Sequence, residues 1–150
     1  MLRTIELKEV TYDDFDAVVE LQLLKLQEDY LASNTYSIAQ SKFDPHYHPR
    51  AIYADDELVG FLMYHTFDCE VAHQTGIHRF MIDHRFQGKG VGRCAMEAAL
   101  AEIRRIPELE RITICYHPEN PLAQPFYASF GFKEIGIDED GEMIAVIELG

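Results

Sequence analysis

Tryptophan is absent and basic side chains are scarce: 13 Lys and Arg stand against 26 Asp and Glu, a net charge of −13. A chain this acidic repels phosphate backbones and anionic lipid surfaces, so neither nucleic acid nor a membrane is expected as a partner. Cysteine is sparse as well. Cys69, Cys94 and Cys115 form no C-x-x-C pair, and an odd set of 3 predicts reduced thiols and a cytoplasmic home rather than a disulfide framework. No basic region followed by an apolar core opens the chain, so no signal peptide is expected. The longest apolar run, Leu58 to Tyr64, is too short to span a bilayer and contains Gly60. Repeats and low-complexity tracts are missing. There are 7 histidines, His46 and His48 among them, but no carboxylate or cysteine falls at a ligand spacing, so no metal site is expected.

What is present is a chain of 150 residues, 47% hydrophobic, which suits one domain over 1–150 with a real core. Leu2 to Val10 alternates and predicts a half-buried strand. Thr11 to Asp14 predicts a capping box, with Thr11 as N-cap. Phe15, Val19, Leu23 and Leu26 then predict a helix running to about Asp29. A short helix fits Tyr36 to Phe43. Pro45 and Pro49 bracket His46-Tyr47-His48 and predict a loop. Ala51 to Ala54 and Leu58 to Phe67 predict a hairpin turning at Asp55-Asp56-Glu57. The latter strand is expected to pair with Gly76 to Ile82 across the loop 68–75. Residues 90–105 form an amphipathic pattern, with Met96, Ala99, Leu100 and Ile103 on one stripe. Arg111 to Tyr116 reads as a strand. Asn120 as N-cap and Pro121 at the first helical position open a helix that Gly131 closes. Phe132 to Ile137 and Met143 to Leu149 form a last hairpin. The order β-α-α-β-β-β-α-β-α-β-β predicts helices packed on one mixed sheet.

The sharpest local signal lies between the strand end Phe80-Met81-Ile82 and the helix from residue 90. Arg85-Phe86-Gln87-Gly88-Lys89-Gly90-Val91-Gly92 is a glycine-rich turn at a helix N-terminus, the arrangement that binds phosphate through backbone N–H groups. A Walker A loop fails on spacing, since Gly88-Lys89 is followed by Gly90. The dinucleotide pattern Gly-x-Gly-x-x-Gly fails at its third glycine, where Arg93 stands. Gln-x-x-Gly-x-Gly fits, at Gln87, Gly90 and Gly92. About thirty residues on comes a second motif, Asn120-Pro-Leu-Ala-Gln-Pro-Phe126-Tyr127-Ala-Ser-Phe130-Gly131-Phe132.

These two motifs, in this order on these elements, resemble the GNAT superfamily of N-acetyltransferases. The resemblance covers essentially the whole chain. It implies an α/β (α+β) fold with a mixed, mostly antiparallel sheet of about seven strands and about four helices. It implies acetyl-coenzyme A as co-substrate. Its cofactor arm would lie between two splayed parallel strands, against the backbone of Phe80, Met81 and Ile82. Amides of Gln87, Gly88, Lys89, Gly90, Val91, Gly92 and Arg93 would hold the pyrophosphate. Asn120 and Tyr127, about 10 Å apart along a regular helix, would serve the pantetheine arm and the sulfur.

Within the superfamily, Leu58-Val59-Gly60-Phe61, Arg79-Phe80-Met81-Ile82-Asp83, the 85–90 loop and Asp140-Gly141-Glu142 look like bacterial spermine/spermidine acetyltransferases. The substrate this implies is a small-molecule primary amine, a polyamine first. An aminoglycoside, an amino acid or a protein N-terminus is the alternative, and a non-catalytic acetyl-coenzyme A module a third reading. Tyr127 is the expected acid, since a departing thiolate needs a proton. An N–H near Ile82 would face the oxyanion, by resemblance. His78 stands where many polyamine-acetylating relatives carry an acidic residue, and is the expected base. Alternation predicts it on one face with Phe80 and Ile82. Glu28 and Asp29, with Asp68 and Glu70, are expected to form an acidic mouth for the amine. Cys115 reads as a buried apolar filler. Edge-strand pairing to a homodimer is also expected by resemblance.

Overall fold

The computed structural model describes residues 4–22, 33–66 and 73–149. Its strands are β1 (Ile5–Glu9), β2 (Tyr47–Ala54), β3 (Glu57–Thr66), β4 (Gln74–Ile82), β5 (Arg111–Tyr116), β6 (Lys133–Ile137) and β7 (Met143–Glu148). Its helices are α1 (Tyr12–Glu20), α2 (Asn34–Phe43), α3 (Val91–Ile103) and α4 (Ala123–Ala128). Both the order and the element types match the sequence expectation. The seven strands form one sheet in the order β1-β2-β3-β4-β5-β7-β6. Every neighbouring pair is antiparallel except β4 and β5.

Local chemistry explains the joints. The carboxylate of Asp14 accepts the Thr11 backbone N–H at 2.7 Å, so the expected capping box starts α1. Asp55 and Asp56 both take positive φ, 50° and 69°, which matches the right-handed twist of the β2–β3 hairpin. Gly60 in β3 lets that strand close on β4: a Cβ there would stand 2.3 Å from the Met81 carbonyl oxygen.

Two cores form, one per face. On one face the α3 stripe of Met96, Ala99, Leu100 and Ile103 packs on Ile52, Leu62, Ile77 and Ile112. On the other, Val18 of α1 and Ile38 of α2 cover Ala51, Phe61, Met63 and Met81. Each large apolar side chain fully buried this way contributes about 1.5–3 kcal/mol.

Four expectations change. First, β2 begins at Tyr47, so Tyr47, His48 and Pro49 are strand rather than loop. Pro49 is tolerated because β1 ends opposite Arg50, leaving that stretch a neighbour on one side only among the described residues. Second, Val18 and not Phe15 turns to the sheet from α1; Phe15 stays exposed. Third, α4 starts at Ala123, two residues late. The Asn120 side chain instead accepts the Leu122 N–H at 3.2 Å, which stabilises a turn ahead of the helix. Asn120 and Tyr127 therefore do not share a regular two-turn helix face. Fourth, Cys115 is exposed, on the opposite side of β5 from buried Ile114 and Tyr116. Among the described residues no helix is long and apolar enough to cross a membrane.

Candidate active site

The parallel pair at the middle of the sheet is incomplete. β4 and β5 pair only from Gln74 opposite Arg111 to Ile77 opposite Ile114. β4 then runs on to Ile82 and β5 to Tyr116 without pairing to each other. Among the described residues, backbone groups of His78 to Ile82 on that side have no neighbouring strand, so the sheet opens there into a wedge.

A bulge in β4 starts the opening. Met63 faces Arg79 and Tyr64 faces Ile77, so His78 is the extra residue. The bulge breaks the alternation. Ile77, Phe80 and Ile82 belong to the α3 face, whereas the His78 ring lies against Tyr47 at 5.4 Å and His65 at 5.6 Å on the opposite face. The expectation that His78 shares a face with Phe80 and Ile82 is thus corrected. The low-polarity surroundings, and then the neighbouring His65 and Arg79 charges, push its pKa down to about 4. His78 is nonetheless exposed at the surface, so desolvation there is only partial. At neutral pH it is an uncharged imidazole.

At the tip of β4, Asp83 is buried and ties separate stretches of chain together. Its carboxylate accepts the Gln22 N–H at 2.9 Å, the Arg85 N–H at 3.0 Å and the Arg85 guanidinium at 2.8 Å. Burial works against its ionised form, and these bonds overcome it, leaving the pKa lowered. The glycine loop follows. Gln87 donates from Nε2 to the Ile82 carbonyl oxygen at 2.8 Å, so its side chain braces the loop against the strand. Gly88 and Gly90 take φ of 75° and 80°, and a Cβ at either would meet nothing within 4 Å. Conformation, not crowding inside the chain, requires glycine there. Gly90 is the N-cap of α3. The first α3 N–H that turns back is that of Cys94, to Gly90 at 3.2 Å, so the amides of Val91, Gly92 and Arg93 have no intrahelical acceptor. Lys89 is exposed beside them. The Arg93 guanidinium reaches across to α4, donating to Ser129 at 2.8 Å and lying 4.7 Å from the Phe130 ring centre.

Aromatic rings bridge the wedge on the α3 face. Phe80 of β4 stacks with Phe126 of α4 at 6.1 Å, Phe126 meets Tyr127 at 5.2 Å, and Tyr127 stacks on Tyr116 of β5 at 5.5 Å. The Tyr127 hydroxyl has no hydrogen-bond partner among the described residues, whereas the Tyr116 hydroxyl donates to Glu134 at 2.7 Å. Desolvation raises the Tyr127 pKa, so the phenol holds its proton at any physiological pH.

A wedge between parallel strands, a braced glycine loop on a helix N-terminus and a protonated phenol at the wedge wall together match the resemblance drawn from the motifs. The profile of the "Acetyltransferase (GNAT) family" matches residues 15–132. The chain belongs to the GNAT acetyltransferase family. It is 32% identical over 151 aligned residues, 97% of this chain and 99% of the other, to the spermine/spermidine N(1)-acetyltransferase of Bacillus subtilis (strain 168). Its fold matches the crystal structure of an acetyltransferase from Thermus thermophilus, with a TM-score of 0.72, 21% identity and 97% of each chain covered. It also matches the PaiA N-acetyltransferase from Thermoplasma acidophilum in complex with coenzyme A, with a TM-score of 0.73, 16% identity, and 97% and 99% of the two chains covered. This GNAT protein is an acetyl-coenzyme A-dependent N-acetyltransferase acting on an amine.

Of the residues singled out from sequence, Phe80, Ile82 and Tyr127 pack in the cluster on the α3 face beside the wedge, and Gln87 ties the 87–93 loop to Ile82. Asn120 sits in the turn before α4, and Met81 points its side chain into the opposite core. His78 lies across the sheet from Tyr127. Glu28, Asp29, Asp68 and Glu70 lie outside the described residues. Sequence reasoning missed Asp83 as an anchor and Tyr116 as the support of Tyr127. An aspartate just before a glycine loop, and a tyrosine ending a strand, were the available signals.

Proposed function

We propose that this GNAT protein acetylates a polyamine, spermidine or spermine, by direct attack on acetyl-coenzyme A. The full-length 32% identity to a spermine/spermidine N(1)-acetyltransferase is the observation that carries the substrate. A net charge of −13 agrees with a polycationic acceptor. Glu28 and Asp29 are assigned to hold it, on sequence grounds.

In this reading the amides of Gln87 to Arg93 hold the pyrophosphate at the α3 N-terminus. The pantetheine arm enters the wedge along the backbone of Phe80, Met81 and Ile82, with Asn120 at its far side. An alkylamine near pKa 10 is neutral in only about one molecule in a thousand at pH 7, so about 4 kcal/mol rests on its deprotonation. His78, uncharged, accepts a hydrogen bond from the ammonium or its water. Being a weak base, it relays the proton to solvent rather than storing it. The free amine attacks the thioester carbonyl, and an N–H near Ile82 faces the developing oxyanion. As the C–S bond breaks, Tyr127 gives its proton to the sulfur, and the proton shed by the attacking nitrogen restores the phenol through solvent, leaving coenzyme A as a free thiol and the N-acetylated amine.

The test is thiol release from acetyl-coenzyme A with spermidine, spermine, an aminoglycoside, free amino acids and an N-terminal peptide. Turnover with the polyamines well above the others supports the proposal. Turnover only with another amine replaces the substrate, and none above hydrolysis with any amine favours a binding module. A homodimer is also proposed, through a sheet edge such as β6, which leaves Ile135 and Ile137 more than half exposed. Light scattering giving a monomer mass would contradict it.

A further inference from the structure

We propose that Asp44, His46 and His65 form a binding site for a borderline divalent cation of the Zn2+ type, separate from the acetyl-transfer chemistry. Three elements converge to build it. Asp44 is the C-cap of α2, His46 precedes β2 and His65 lies near the end of β3. Asp44 Oδ1 is 2.9 Å from His46 Nδ1, and Asp44 Oδ2 is 3.0 Å from His65 Nε2. All three donor atoms lie within 4.8 Å of one another.

These separations suit an ion. Two neighbouring ligands on a cation with bonds near 2.1 Å stand about 3.0–3.4 Å apart. Without metal, the same geometry is held by each imidazole donating to one carboxylate oxygen. A cation replaces both bonds at once, with the ring protons moved off the coordinating nitrogens. Two imidazoles and one carboxylate favour Zn2+, Ni2+ or Co2+ over Mg2+ and Ca2+, which take oxygen. The site is reachable yet supported. The Asp44 and His46 side chains are 38% and 41% exposed, leaving room for waters to complete the shell. His65 is 15% exposed and its ring packs on Tyr47 at 4.4 Å. Asp44 is oriented by the His46 N–H, at 2.9 Å. Chain spacing could not show this cluster, because His65 joins it only when β3 pairs with β2.

The consequence is local. The His65 ring is 5.6 Å from that of His78, so an ion would pin the end of α2 to the β2–β3 hairpin beside the wedge.

The experiment is calorimetric titration of chelator-treated protein with ZnCl2, alongside visible absorption on adding CoCl2. The expected result is one ion per chain with a Kd of about a micromolar or tighter. Affinity should fall about tenfold or more in His65→Ala and in Asp44→Ala, and be retained in His84→Ala. Zn2+ should also raise Tm in the parent and not in the variants. Should His65→Ala fold poorly, His46→Ala at the more exposed ligand gives the same comparison. No binding tighter than about 100 μM, or unchanged affinity in the His46→Ala/His65→Ala double variant, overturns the site.

Discussion

Gln87 reaches back from the glycine loop and donates to the Ile82 carbonyl oxygen at 2.8 Å. That bond closes the loop on the last residue of β4, between the proposed cofactor-arm strand and the proposed pyrophosphate cradle. Gln87→Ala should loosen the loop by about 1 kcal/mol. KM for acetyl-coenzyme A should rise about fivefold while kcat stays within about twofold. A large fall in kcat with unchanged KM would assign Gln87 to the chemical step instead.

Gly60 and Met81 give a second test. A methyl at position 60 would stand 2.3 Å from the Met81 carbonyl oxygen, a backbone atom that cannot swing aside. Gly60→Ala should force β3 and β4 apart and cost about 1–3 kcal/mol. For a domain of this size Tm should drop by about 3–10 °C in calorimetry. An unchanged Tm would show the strand pair to be more pliable than described.

The bulged histidine predicts a pH dependence. The ordinary imidazole pKa is 6.5, and in the fold the His78 pKa is pushed down to about 4. As pH falls, the unfolded chain takes this proton first, so the native state loses stability between about pH 6.5 and 4. Denaturant unfolding at pH 7, 5.5 and 4.5 should show the loss, and His78→Asn should flatten part of it. His48, also lowered by burial, should leave a residual slope. An equal slope in His78→Asn would mean that the ring is as well solvated folded as unfolded.

Tyr127→Phe removes one hydroxyl that has no partner among the described residues and keeps the ring stacked on Tyr116. The fold and cofactor affinity should therefore survive. Loss of the proposed acid should lower kcat by about 10²-fold or more, with the Kd for coenzyme A within about twofold. Equal rates in variant and parent would end the proposed role.

Most of the fold was legible because its signals are local. The α3 stripe, the Asp55-Asp56 turn and the glycine loop each depend on neighbours in the chain. What was missed depends on distant partners. His78 could not be assigned a face without the Met63–Arg79 and Tyr64–Ile77 register that creates the bulge. Pro49 reads as a breaker until β1 is seen to stop one residue short of it. Asn120 and Pro121 carry good helix-start chemistry, yet the side chain spends it on a turn and α4 begins later. The glycine motif points to the candidate site, while the residues that support it, Asp83 and Tyr116, appear only once strands meet.

A crystal structure of the coenzyme A complex tests the central claim most directly. The account predicts pyrophosphate oxygens within about 3.2 Å of the amides of Val91, Gly92 or Arg93, and the thiol beside the Tyr127 hydroxyl in the β4–β5 wedge. A cofactor bound outside the wedge, or a sulfur turned away from Tyr127, would contradict it.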